Sequence, residues 1–217
     1  MNKIGVFGTG IVGNTIGTKL IQLGYKVMMG SRTVANAKAV GWAEANGKNA
    51  SAGTFKDVVQ FGDIIFHCTK GESALEVFEL AGIDQFNGKV IVDVSNPLDF
   101  SRGMPPALIP QYTNTHSLGE EIQKLLPGAY VVKTLNIVNC EVMVNAQKSG
   151  GEPTMFVSGN NLEAKEKVKA LLNQFGWTDI IDLGDITTAR GTEMLLPIWL
   201  RIYMATGNGY FGFKIIR

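Results

Sequence analysis

Apolar positions along this chain follow two alternating rhythms. Short unbroken runs are followed by longer stretches in which apolar residues recur every three or four positions. The first run, Lys3 to Phe7, leads into a pattern with Ile11, Ile16, Leu20 and Leu23 on one helical face, ending at Gly24. Further runs at Tyr25–Met29, Asn49–Ala52, Asp63–Thr69, Lys89–Val94, Ala129–Leu135, Thr154–Ser158 and Thr178–Leu183 read as strands. Between them, Val34–Asn46, Phe55–Phe61, Glu72–Ala81, Leu118–Leu126, Cys140–Gln147, Leu162–Phe175 and Thr188–Thr206 read as helices. A strand apolar at every position needs cover on both faces, which is the condition of a parallel sheet between helix layers.

The residues between the runs agree with these boundaries. Gly24 suits a left-handed helix end, and Thr54 with Asp57 makes a capping box for Phe55–Phe61. Asn139 and Asn161 stand where helix N-caps are needed, and Pro127-Gly128 stops the helix before it. Pro197 predicts a kink in the last helix. Residues 99–115, with three prolines and Gly103, form a loop that either covers a site or crosses the surface. A composition shift after Gly150-Gly151 divides the chain into residues 1–150 and a smaller lobe, 151–217. The tail from Gly207 mixes glycines with aromatics and is expected to wrap a partner or close a pocket.

Between the first strand and first helix the chain reads Gly8-Thr9-Gly10-Ile11-Val12-Gly13. In this strand–turn–helix context Gly8 allows the tight turn, Gly10 lets a pyrophosphate approach the backbone, and Gly13 lets helix pack on strand. The unpaired N–H groups of the helix start then face the phosphates. A dinucleotide site of this type usually has an acid at the end of the second strand, for the ribose 2′-hydroxyl. Here Ser31 and Arg32 occupy that place, a hydroxyl and a charged fork suited to a 2′-phosphate, so NADP(H) is expected rather than NAD. Lys38 is placed to add a second charge. In such sheets ligands lie beyond the carboxyl ends of the strands, which singles out Cys68, Thr69 and Lys70, and also Asn96-Pro97, where the competing reading is a plain turn. His67, alternating inside a strand, reads as a satisfied core histidine.

Composition narrows the alternatives. The chain has 217 residues, 45% of them hydrophobic, and a net charge of +1 without a basic stripe, so a nucleic-acid surface is not expected. Cys68 and Cys140 both sit in apolar runs and read as core thiols of a reducing, cytoplasmic protein. With His67 and His116 they assemble no zinc spacing, and no metal is expected. No signal peptide is read at the N-terminus, and Met194–Ala205 is too short for a bilayer. The one Tyr-x-x-x-Lys match, Tyr210 to Lys214, falls in the glycine-rich tail and reads as accidental.

Taken together, the chain resembles the NADP oxidoreductases that use the deazaflavin coenzyme F420. The marks are Gly8, Gly10 and Gly13, Gly30-Ser31-Arg32, Ser101-Arg102-Gly103, Val131-Val132, Asp182 with Gly184, Arg190, Glu193, Pro197, and Gly207, Gly209 and Gly212 with Lys214. Asn96-Pro97 and Asn136 also give a more distant likeness to the cytosolic domain of six-transmembrane ferric reductases. The fold implied is α/β: a Rossmann-like doubly wound parallel sheet with a small C-terminal α/β lobe and a long terminal helix. The lobe is expected to serve dimerisation or the acceptor site. The resemblance places Thr9, Ile11 and Val12 beside the pyrophosphate and Cys68, Thr69, Asn96, Pro97, Leu135 and Asn136 around the nicotinamide. It further implies hydride transfer to coenzyme F420 or a flavin as second substrate, in a homodimer, with proximity replacing a catalytic dyad. Asn136 stands where the archaeal reductases carry a histidine, and Asn36 where a basic residue is expected. The acceptor therefore stays open among deazaflavin, flavin and ferric complexes, and an NADP-binding redox sensor without turnover is the alternative of a different class.

Overall fold

The computed structural model describes residues 3–217. In chain order the first half forms β1 (Lys3–Phe7), α1 (Ile11–Gln22), β2 (Lys26–Ser31), α2 (Ala37–Asn46), β3 (Ala50–Thr54), α3 (Phe55–Phe61), β4 (Ile64–His67), α4 (Ala74–Ala81) and β5 (Val90–Asp93). A two-stranded hairpin follows, β6 (Leu98–Asp99) with β7 (Ala107–Leu108), and then α5 (Leu118–Leu125) and β8 (Tyr130–Lys133). The chain continues with α6 (Cys140–Met143), β9 (Thr154–Ser158), α7 (Leu162–Gln174), β10 (Asp179–Gly184) and α8 (Ala189–Thr206). Among the described residues, no helix is long and apolar enough to cross a membrane.

Eight strands make one sheet in the order β10-β9-β8-β5-β4-β1-β2-β3. From β3 to β8 all pairs are parallel, and this part has the 3-2-1-4-5-6 order of dinucleotide-binding sheets. β9 meets β8 antiparallel through Lys133 and Ser158, and β10 runs parallel to β9. The strands after Gly151 thus extend the same sheet.

Alternation along the strands explains the two-layer cover. Ile4, Val6, Ile64, Phe66, Val90 and Val92 face one core, with Ile16 and Leu20 of α1 and Val168 and Leu171 of α7. Phe7, Ile65, Ile91 and Val131 face the other, with α3, α4 and α5. Both faces being dry, the middles of these strands are apolar, and the polar His67, Asp93 and Lys133 are confined to their carboxyl ends.

Most element ends follow local chemistry. The Thr54 hydroxyl accepts from Asp57 N while the Asp57 carboxylate accepts from Thr54 N, closing the predicted capping box. α2 starts three residues later than Val34 because Asn36 Oδ1 accepts from the Lys38 and Ala39 amides and fixes the cap there. The helix expected over 140–147 stops at Met143. Trp177 Nε1 donates to Met143 O at 2.9 Å and Ala146 N donates to Phe175 O at 3.2 Å, so tertiary partners take the groups that helix propagation needs. Residues 99–115, expected as loop, contain the second strand of the small hairpin and the last residue of its first.

The tail lies against its own chain. Gly207 turns it at a φ of 66°, Phe211 stacks on Trp199 with centroids 5.2 Å apart, and Phe213 O accepts from Thr154 N at 2.7 Å. Lys214 and Arg217 both reach Asp179.

One close approach decides the geometry of the opening turn. A Cβ on Gly13 would lie 2.1 Å from Gly8 O, a backbone atom that has no room to move away. Gly13→Ala is expected to lower unfolding stability by about 1–3 kcal/mol, read as a fall in the urea midpoint at unchanged slope; an unaltered midpoint would show that the turn yields.

Candidate active site

The site forms at the switch point between β1 and β4, where the chain leaves the sheet in opposite directions. Gly8 takes a φ of 109°, and its N–H donates to Gly30 O while Cys68 N donates to Phe7 O. A Cβ on Gly8 would meet Cys68 O at 2.8 Å, so the ends of β1 and β4 touch only because this residue is glycine. On Gly10, by contrast, a Cβ would meet nothing within 4 Å. Gly10 is also the N-cap of α1, with no side chain capping it and no acid in the first turn. This is an open, unneutralised helix start of the kind that holds a pyrophosphate.

Two cavities open from this turn. The first, about 430 Å³, is bounded by Gly8, Thr9 and Gly10 on one side and by Ser31, Arg32 and Asn36 on another. Phe55, Ser73 and Val77 complete its floor. Arg32 is exposed, and its nearest anion is Glu76 at 3.9 Å, so its guanidinium is available to a ligand. The second cavity, about 450 Å³, lies under α8, with Ile11, Val12, Asn96 and Asn136 on one wall and Leu196, Trp199 and Leu200 on the other. Cys68, Thr69 and Lys70 line both cavities and form the junction. This donor set, a cavity at an uncapped helix start joined to a mostly apolar slot, fits an extended dinucleotide such as NADP(H).

Other sequence-predicted residues fall elsewhere. Gly13 lies in the first turn of α1, packed against Gly8 and Val6 of the opening strand and turn, and Pro97 and Leu135 are buried; none of the three lines either cavity. Leu135 instead adopts a φ of 61°, an uncommon backbone for a branched side chain, which turns the chain so that Asn136 follows toward the cavity. There Asn136 Nδ2 donates to Asn96 Oδ1 at 2.9 Å, and Asn96 Nδ2 donates to Asn136 O at 2.8 Å, clamping the ends of β5 and β8 together. Lys38 lines neither cavity.

Behind the junction lies a buried polar cluster that the sequence pattern does not reveal. His67 is fully buried as expected, with Nδ1 2.9 Å from Asp93 Oδ1 and Nε2 2.6 Å from Thr69 Oγ1. Lys133 Nζ donates to Asp93 Oδ2 at 2.9 Å and to Ser95 O at 2.7 Å, and lies 2.8 Å from Glu193 Oε1. Glu193 in turn accepts from Leu118 N and Gly119 N at the start of α5. Burial alone would raise the Asp93 carboxyl, but Lys133, His67 and Ser95 outweigh it and hold the group well below the usual carboxylate range. Burial likewise opposes the Lys133 ammonium, and Asp93 and Glu193 overcome it and hold it above its ordinary value. Burial, reinforced by Asp93, pushes the Cys68 thiol up, so at neutral pH it is no nucleophile.

Comparison with known proteins decides the family. A crystal structure from Arthrobacter sp. FB24, assigned as an F420-dependent NADP reductase, is 45% identical, with a TM-score of 0.92 and 99% of each chain covered. The chain belongs to the F420-dependent NADP oxidoreductases. The profile of that family, described as NADP oxidoreductase coenzyme F420-dependent, matches residues 3–97 of this member. The F420-dependent NADP reductase of Methanocaldococcus jannaschii is 26% identical over 157 residues, covering 71% of this chain and 69% of its own. The metalloreductase STEAP3 of Rattus norvegicus is 29% identical over 201 residues, which are 91% of this family member and 38% of the metalloreductase. The chain thus spans little more than a third of that curated relative.

The buried cluster makes two predictions. Lys133→Met leaves two carboxylates buried without their cation and is expected to cost about 3–5 kcal/mol, measured by urea unfolding; a smaller loss than about 1 kcal/mol would place the cluster in contact with water. The depressed Asp93 supplies stability that is complete above its unfolded pKa and is lost as pH falls, so the urea midpoint should hold near neutrality and drop below about pH 4. Asp93→Asn should flatten part of that drop.

Proposed function

We propose that the chain is an NADP-dependent oxidoreductase that passes hydride between NADP(H) and a flat ring acceptor, a deazaflavin such as coenzyme F420 or a flavin. The observation that carries this reading is the shared wall of the two cavities, Cys68-Thr69-Lys70. A ligand laid from Arg32 across Gly10 enters the slot under α8 beside that wall. In this reading Gly8, Thr9, Gly10, Ile11 and Val12 hold the pyrophosphate and Arg32 holds the 2′-phosphate, beside Ser31, whose hydroxyl donates to Thr33 O at 2.6 Å and shapes the turn. Thr69, Asn96 and Asn136 border the reacting ring, and Leu196, Trp199 and Leu200 exclude water from its far side. NADPH supplies the hydride when bound. The protein contributes alignment and a dry slot, the two factors that matter most for transfer between stacked rings. Residues 3–150 would then hold the cofactor, with the segment after Gly151 supplying the acceptor wall through α8.

The metalloreductase similarity adds ferric complexes to the acceptors worth testing. Exposed apolar residues on α8, Ile198 and Met204 among them, support self-association as a homodimer. The free thiols of Cys68 and Cys140 suit a reducing compartment such as the cytoplasm.

Two measurements test the proposal. Arg32→Ala should weaken NADPH binding roughly 10- to 100-fold, the worth of a charged hydrogen bond, and leave NADH nearly unchanged in calorimetry; equal losses for both would remove the 2′-phosphate assignment. Oxidation of NADPH, followed at the nicotinamide absorbance with deazaflavin, flavin and ferric acceptors, should proceed with at least one. Binding without oxidation by any of them would make the chain an NADP-responsive sensor instead.

A further inference from the structure

The cluster behind the junction holds more proton chemistry than a hydride step between rings consumes. Asp93 and Glu193 each carry one negative charge and Lys133 one positive, all three side chains fully buried. The set therefore has a net charge of −1 while His67 is neutral, and is balanced when His67 carries a proton. The first amides of α5 offset part of that charge at Glu193, and the group of the set placed to carry a proton toward the cavity is the imidazole of His67. Asp93 anchors Nδ1, while Nε2 faces Thr69 Oγ1 at 2.6 Å. Thr69 lines both cavities. Ser95 also reaches the second cavity, but its hydroxyl donates to Asp93 at 2.7 Å and is committed there. The other groups around the imidazole are the protonated Cys68 thiol next in the chain, Lys133 from β8, Glu193 from α8, and from α4 the Phe78 ring, 4.8 Å away between centroids.

We propose that Thr69 and His67 form a proton relay between the cavity and the buried cluster, supplying the ring acceptor with the proton that accompanies each hydride. This rests on the oxidoreductase reading above. With His67 protonated on both nitrogens, Nε2–H donates to Thr69 Oγ1, and the Thr69 hydroxyl hydrogen is free to point into the cavity. As a nitrogen or oxygen of the acceptor becomes basic on taking hydride, the Thr69 O–H bond breaks toward it and Oγ1 takes the hydrogen from His67 Nε2. One O–H and one N–H bond break, and one O–H and one acceptor–H bond form. No electrons move apart from the hydride pair. His67 is left neutral, its Nδ1–H still donating to Asp93, and once the product has left, a hydronium ion or buffer acid from solvent restores the proton by the reverse path.

The chain has two histidines, so His116→Asn protein labelled with 15N-histidine reports on His67 alone. In cofactor-free protein the His67 nitrogens should show both the doubly protonated form and the Nδ1–H tautomer as pH is varied across the range in which the protein stays folded. A ring locked in one form over that range overturns the relay, whatever the enzyme assays show. In turnover at saturating NADPH, Thr69→Val should slow oxidation roughly 100-fold, with NADPH affinity kept within a few-fold and the rate restored in Thr69→Ser. The wild-type rate should fall with rising pH at the titration point seen for His67. A Thr69→Val variant as fast as wild type also overturns the relay. If none of the acceptors is reduced by wild-type protein and NADPH, the oxidoreductase reading fails on its own, and the nitrogen titration still decides whether His67 exchanges its proton.

Discussion

Five elements of this protein are tied together at one buried ammonium. Lys133 comes from β8, Asp93 from β5, His67 from β4 and Glu193 from α8, and Glu193 holds the first amides of α5. Ions this deep in a protein are tolerated only when every charge has a partner and every hydrogen-bonding position is filled. Satisfying that condition sets the relative positions of three adjacent strand ends and of the helix that roofs the second cavity. The slot under α8 is held open by electrostatics as much as by packing.

The glycine turn imposes a complementary constraint at the other end of the site. Gly8 and Gly13 let backbone atoms approach to distances that a Cβ would forbid, while the space over Gly10 is left clear. Close contact at two glycines and empty space at the third is a division of labour that a diphosphate needs. The aromatic stack of Tyr203, Trp199 and Phe211 then backs the second cavity at Trp199, using the tail that folds back along Thr154.

Much of this was legible in the chain itself. Periodicity located nearly every strand and helix, because strands dry on both faces must be apolar throughout and covering helices must be apolar on one side. The capping box at Thr54 and the Asn139 and Asn161 caps depend on neighbours within a few residues, so they too could be read locally. Boundaries were misplaced where a distant partner intervened, as at Met143, whose carbonyl is taken by Trp177. The loop hairpin of Leu98–Asp99 with Ala107–Leu108 was missed because two-residue strands leave no periodic signal.

By itself the sequence determined the strand–turn–helix opening, the absence of an acid at the end of β2 and its replacement by Ser31-Arg32, since each is a matter of residue type at short spacing. Only the tertiary structure decided which residues share the site. Pro97 and Leu135 lie next to the cavity in sequence yet are buried beside it, and Trp199 and Leu200 arrive from more than fifty residues beyond the nearest strand-end residues of that cavity. It also joined His67, Asp93, Lys133 and Glu193. A lone charge inside an apolar run has no local rule naming its partner, because the low dielectric that makes the pairing obligatory exists only after the chain has closed around it.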